Sequence, residues 1–105
     1  MILTKLKDMK GGWFIGNFEP ASFNADFEVG IKEYKAGETG AAHHHKLSKE
    51  FTVILSGALM LNTSIFRTGD IVQIDELESV SFECLEDCVT IVVKPKSVKG
   101  DKYDD

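Results

Sequence analysis

The strongest constraint on this chain is something it lacks: no stretch holds a 3.6-residue apolar period long enough for a packed helix. Residues 4–9 offer at most one short helical segment. Apolar residues come instead in short runs punctuated by turn-forming residues. Residues 13–18 are aromatic and β-branched, and Glu19-Pro20 stops them. Residues 27–35 alternate in part, and Gly37 and Gly40 bracket the loop that follows. Residues 43–46 make a short strand. Residues 51–55 make a strong one, which Gly57 breaks. Residues 58–61 and 65–67 flank Asn62-Thr63-Ser64 as a hairpin, and Gly69-Asp70 turns the chain into 71–74. After an acidic loop at 75–78, residues 79–84 and 89–93 form a last pair around a turn at Leu85-Glu86-Asp87. Roughly eight short strands joined by Gly, Asn and Asp turns predict an all-β sandwich or barrel.

A length of 105 residues is one domain. Folding at that size hides roughly 65% of the extended chain's surface, enough for a core without disulfides. Residues 1–12 read as a polar lead-in ending in Gly11-Gly12, 13–95 as the β-barrel domain, and 96–105 as a polar tail ordered by contact with a partner. In the strand 51–55, Thr52 and Ile54 face one side and Phe51, Val53 and Leu55 the other. Both sides are apolar enough to need cover. A second copy of the chain, giving a homodimer, supplies the outer cover, or the N-terminal aromatic strand does.

The net charge of −5 does not suit a nucleic-acid binder. Lys94, Lys96, Lys99 and Lys102 cluster near the end, but aspartates follow them, so they read as a solvated tail. No run approaches the 18 apolar residues of a membrane span, and residues 1–10 lack the apolar centre of a secretory signal. Cys84 and Cys88 read as reduced thiols on opposite sides of the turn at 85–87. These features together predict a cytoplasmic protein with no membrane partner. No glycine loop stands in a phosphate-binding context and no serine in a nucleophile elbow.

All 3 histidines are adjacent: His43, His44 and His45. On a strand His43 and His45 point the same way, about 7 Å apart at Cα, and His44 points away. Glu50 opens the next strand after a short turn, so its carboxylate can reach the same cavity. Two imidazoles and a carboxylate suit a divalent transition metal (Fe, Mn, Ni, Co or Zn) with open positions for water or substrate. An exposed His-rich turn, or histidines hydrogen-bonded inside a polar cavity, would read the same way. Tyr34 faces the barrel as a possible hydrogen-bond donor. Trp13, Phe14, Phe18, Phe23 and Phe27 serve packing or line the cavity mouth.

The spacing Gly37, His43, His45, Glu50, Gly57 resembles the first motif of the cupins at every fixed position. Gly69-Asp70-Ile71-Val72-Gln73-Ile74 resembles the opening of the second. The resemblance spans 37–93 and implies a single cupin/jelly-roll β-barrel, a double-stranded β-helix. It assigns His43, His45 and Glu50 as three of the family's four usual metal ligands. The second motif then departs from the pattern: Asp75 stands at the proline place, Leu77 at the glycine place, and Val80 at the place of the third histidine. A three-ligand site binds more weakly unless Gln73, Asp75, Glu76, Glu78 or Cys84 joins it. The resemblance implies a small metal-binding cupin: a metal-dependent dioxygenase, isomerase or lyase acting on a small oxygen-rich substrate. The alternative is a non-catalytic cupin that binds a sugar or small carboxylate, or a partner-docking module. No residue stands out as the catalytic base.

Overall fold

The computed structural model describes residues 1–105. The lead-in makes two short 3-10 turns, Leu6–Asp8 and Lys10–Gly12, and no longer helix forms. Eight strands follow: β1 (Trp13–Ile15), β2 (Glu28–Tyr34), β3 (Thr39–His44), β4 (Glu50–Leu61), β5 (Ser64–Arg67), β6 (Ile71–Ile74), β7 (Val80–Lys94) and β8 (Tyr103–Asp104). All pairings within the one continuous sheet are antiparallel.

Two long strands shape the molecule. The second half of β7 lies between β2 and the first half of β4, with Ile31 and Val53 both opposite Ile91. Its first half lies between β3 and the second half of β4, with Gly40 and Leu61 both opposite Phe82. β6 extends the first sheet half from β4, β5 extends the second, and β1 and β8 close the outer edges. The sheet therefore curls on itself, and its concave side encloses a cavity. This is an all-β jelly-roll barrel.

The curl has a local cause in β4. Its register against β7 slips three times between Ile54 and Leu59. Gly57 sits within this bulged stretch at φ 85°, a backbone conformation that side chains resist. A Cβ there would strike the Asp87 carbonyl and Cys88. The extra residue changes which face the following side chains take, so Ile54 and Leu59 are both buried inside. The glycine thus bends the strand instead of ending it.

The turn expected at 85–87 does not form either. These residues contain no glycine or proline, and Glu86 stays paired with Ala58, so β7 runs unbroken. Cys84 and Cys88 consequently lie on one face of one strand, with Sγ atoms 3.6 Å apart. They are free thiols. With Ile54 and Leu59 they make the tightest core cluster, packed against Tyr34, Leu61, Phe66 and Phe82.

The tail docks on its own barrel. Asp101, only 4% exposed, accepts hydrogen bonds from the backbone N–H groups of Lys46, Leu47 and Ser48. β8 then pairs with β3. The Asp105 carboxylate holds His44 Nδ1 at 2.6 Å, and His44 stacks on Tyr103. No helix is long and apolar enough to cross a membrane.

Candidate functional site

A cavity of about 670 Å³ opens on the concave side. Its floor follows from strand alternation. Lys32 and Tyr34 come from β2, Glu50 and Thr52 from β4, and Thr90, Val92 and Lys94 from β7. His43 and His45 line one wall, with Val80 and Phe82 beside them. Trp13 and Phe18 cover another side, and residues 98–102 of the tail complete the rim. Of the 26 lining residues 10 are hydrophobic, so the space suits a ligand with both polar and apolar faces.

His43 and His45 both line the cavity, although β3 ends at His44 and its register slips before His43. The rings of His43 and His45 face each other nearly perpendicular, with centroids 5.3 Å apart. His43 Nδ1 lies 3.3 Å from the Ala41 carbonyl. His44 points away and pins the tail. Glu50 lines the same cavity, and the Thr52 hydroxyl donates to it at 3.4 Å.

A metal tests this set differently. Two imidazoles alone make a partial ligand set. The larger set does not close, since no three His, Cys, Asp or Glu side chains converge on a common point. Val80, buried and apolar, sits directly opposite His43 across the β3–β7 pairing and offers no ligand there. Cys84 is turned into the core, where it bonds the Glu86 carbonyl at 3.0 Å. Asp75 and Glu76 are tied to Lys49, and of the acidic loop only Glu78 borders the cavity. Lys94 adds a positive charge inside the same space.

The electrostatics follow from that lysine and from burial. Burial first, then the Lys94 charge, then His43, pull His45 down to about 4. At neutral pH His45 is therefore an uncharged imidazole with a lone pair to offer. Burial pushes Glu50 above the ordinary carboxylate range, and Lys94 is the strongest charge pulling the other way. Burial, and secondarily Glu50, drive the Tyr34 phenol to about 12, so it stays a hydrogen-bond donor. Burial lowers Lys32, whose ammonium bonds the Gly11 carbonyl at 2.5 Å and lies 4.8 Å from the Trp13 ring centre.

Solved structures place this arrangement in a wider context. A double-stranded β-helix protein from Klebsiella pneumoniae superposes with a TM-score of 0.69 at 16% identity, over 75% of this chain and 70% of that one. The polyketide cyclase RemF from Streptomyces resistomycificus gives 0.68 at 20% identity, over 76% and 61%. The fold is a cupin fold. The DMSP lyase DddQ from Ruegeria pomeroyi gives 0.72 at 16% identity, over 87% of this chain but only 48% of the lyase. At these identities the likeness concerns the barrel alone. No family model matches the sequence, and no curated protein matches it.

Three contributors to the cupin cavity were not legible in advance. Lys94 read as part of a solvated lysine tail, yet it ends β7 facing inward at 7% exposed. Continuing the alternation of Thr90 and Val92 by one step would have placed it. Thr90 is 1% exposed, and its Oγ1 has no hydrogen-bond partner. The tail residues 98–102 carry no local signal for their docking, which depends on Asp101 meeting three free N–H groups at 46–48.

Proposed function

We propose that this cupin barrel is a non-catalytic binding module for a small oxygen-rich organic molecule, a sugar or a small carboxylate. The observation that carries this reading is a roomy cavity whose floor holds a buried polar atom with no protein partner. Thr90 Oγ1 is unbonded, and Lys94 makes neither an ion pair nor a hydrogen bond. Buried polar groups left unmatched cost about 1–3 kcal/mol each, so a site of this kind is completed by what enters it.

A second reading rests on a different observation, the facing imidazoles of His43 and His45. It takes them, with Glu50, as ligands of iron, manganese, nickel, cobalt or zinc in a metal-dependent enzyme. Such an ion would supply Lewis-acid or redox chemistry when bound, while the chain's own residues would orient the substrate.

Metal analysis of untagged protein purified without chelator, beside the His43→Ala/His45→Ala double variant, separates the two. The binding-module reading expects far less than one equivalent of metal in both. Near one equivalent in the parent, lost in the variant, would establish the metal centre and displace the first reading.

Two features of setting belong with this proposal. The pair of free cysteines fits a reducing compartment, the cytoplasm. The apolar outer face of the sheet fits a homodimer. Val29, Val93 and Phe51 form one row across it, and Ile31, Ile91, Val53 and Ile71 the next. Trp13 of the N-terminal aromatic strand packs over Gly30 on the cavity side, away from this face.

A further inference from the structure

We propose that Lys94 is the fixed positive charge of the cavity, and that it selects a hydroxy-carboxylate as ligand without any metal. This rests on the binding-module reading above and names its ligand class.

The first support is placement. Lys94 ends β7 on the inner face, opposite Glu28 on β2, and the same register continued one step beyond Phe51–Val93 sets it against Glu50 on β4. At 7% exposed, a lysine bearing a charge is costly to bury unless something pairs with it. No carboxylate lies within ion-pair distance of it. The neighbouring acids are already engaged: Ser97 donates to Glu28 at 2.7 Å and Thr52 donates to Glu50.

The second support is the balance of charges around the cavity. Five carboxylates border it, and each accepts a hydrogen bond from within the protein. Five lysines border it too, and only Lys32 has a partner, the Gly11 carbonyl. Lys10, Lys99 and Lys102 are exposed to solvent, so Lys94 is the one buried lysine of the lining without a protein partner.

The third support is the set of neutral partners around Lys94. The His45 imidazole and the Glu50 carboxylate line the same cavity as hydrogen-bond acceptors, and the Tyr34 hydroxyl lines it as a donor. Acceptors beside a cation recognise a ligand that pairs a carboxylate with nearby hydroxyl groups. In the family pattern a metal would meet those oxygens. Here the ammonium carries the charge, and Val80 opposite His43 offers no ligand.

The test compares acids with neutral alcohols of matched hydroxyl pattern: L-lactate with propane-1,2-diol, D-gluconate with sorbitol, and D-glucuronate with D-glucose. Titration calorimetry on chelator-treated protein is expected to find at least one acid that saturates. Its neutral counterpart should bind at least tenfold more weakly. Lys94→Met and Lys94→Gln should abolish that preference. Removing a buried charge should not unfold the barrel, and circular dichroism checks this. A preference that survives in both variants overturns the role of Lys94. An acid and alcohol that bind equally overturn the carboxylate and leave the binding module standing. Binding that needs added zinc or manganese assigns the charge to a metal. Failure of all six compounds to saturate removes the binding-module reading itself.

Discussion

At the scale of single residues, Leu77 holds a backbone conformation that suits glycine better than leucine. It stands where the cupin pattern has glycine, and its φ of 68° is the left-handed conformation a glycine would adopt freely. The turn is held by its N–H bonding the His45 carbonyl at 2.7 Å and by Glu78 N–H bonding the Asp75 carbonyl. The side chain is 67% exposed, so it contributes little burial in return for the strain. A left-handed non-glycine residue costs about 1 kcal/mol or more, partly offset by the freedom glycine adds to the unfolded chain. Leu77→Gly is therefore expected to raise stability by about 0.5–1 kcal/mol, read as a higher urea midpoint with unchanged slope. A lower midpoint would mean that the Leu77 side chain makes a contact worth more than the strain. The same scale shows what sequence can and cannot convey. His43, His45 and Glu50 were legible as a cavity-facing group because alternation along a strand is local. Lys94 obeys the same alternation, but its lysine neighbours at 96, 99 and 102 made it resemble surface. Only the meeting of β2, β4 and β7 reveals that it is enclosed.

At the scale of elements, most strands were visible from composition and turns, including the hairpin at 62–64, where Asn62 takes a φ of 54°. The two long strands were not. Gly57 looked like a stop and is a bulge. The charged segment Leu85-Glu86-Asp87 looked like a turn and is the middle of β7. Both errors have one origin. Local residue types report where a chain bends, and only pairing with a partner strand decides whether it also breaks. The consequence for chemistry falls on the cysteines. On one inner strand face they are 1% and 2% exposed. Burial, then hydrogen bonding to Cys84, pushes the Cys88 thiol up to about 12. Its thiolate at pH 8 is then roughly one part in ten thousand. A disulfide-exchange reagent at pH 8 is expected to leave both thiols of the native protein unmodified over minutes, since the thiolate is the attacking form. Two equivalents should react at once in 6 M guanidinium. Rapid native modification of both would favour the exposed turn over the continuous strand.

At the scale of the whole molecule, the curled sheet separates two uses of its faces. The concave face is mixed in character and encloses the cavity, while the convex face of the β2–β7–β4–β6 half is a field of aliphatic and aromatic side chains. Leu55 is 45% exposed and Ile71 is 69% exposed there, in rows continuous with Phe51, Val53, Ile91 and Val93. A contiguous apolar surface of this kind favours association, and no charged side chain stands within the two central rows. A second copy meets it most simply, because a two-fold axis through the face sets identical rows against each other. Light scattering after size-exclusion chromatography is expected to give twice the monomer mass at micromolar concentration. Ile71→Asp should shift the protein to monomer. Its exposure means that the barrel itself can tolerate the charge, so an unchanged melting curve for diluted protein would separate loss of association from loss of fold. A parent that stays monomeric at 100 µM (roughly the range of weak, transient interfaces) would remove the homodimer. The convex face would then need another occupant, and binding in the cavity would have to be explained by one barrel alone. If the dimer holds, the face that packs and the face that binds share the strands β2, β4 and β7. Outward residues such as Val53 and Val93 then fix the positions of inward neighbours such as Thr52 and Lys94. Ile71→Asp should accordingly weaken ligand binding without touching the cavity, through looser placement of β4 and β7.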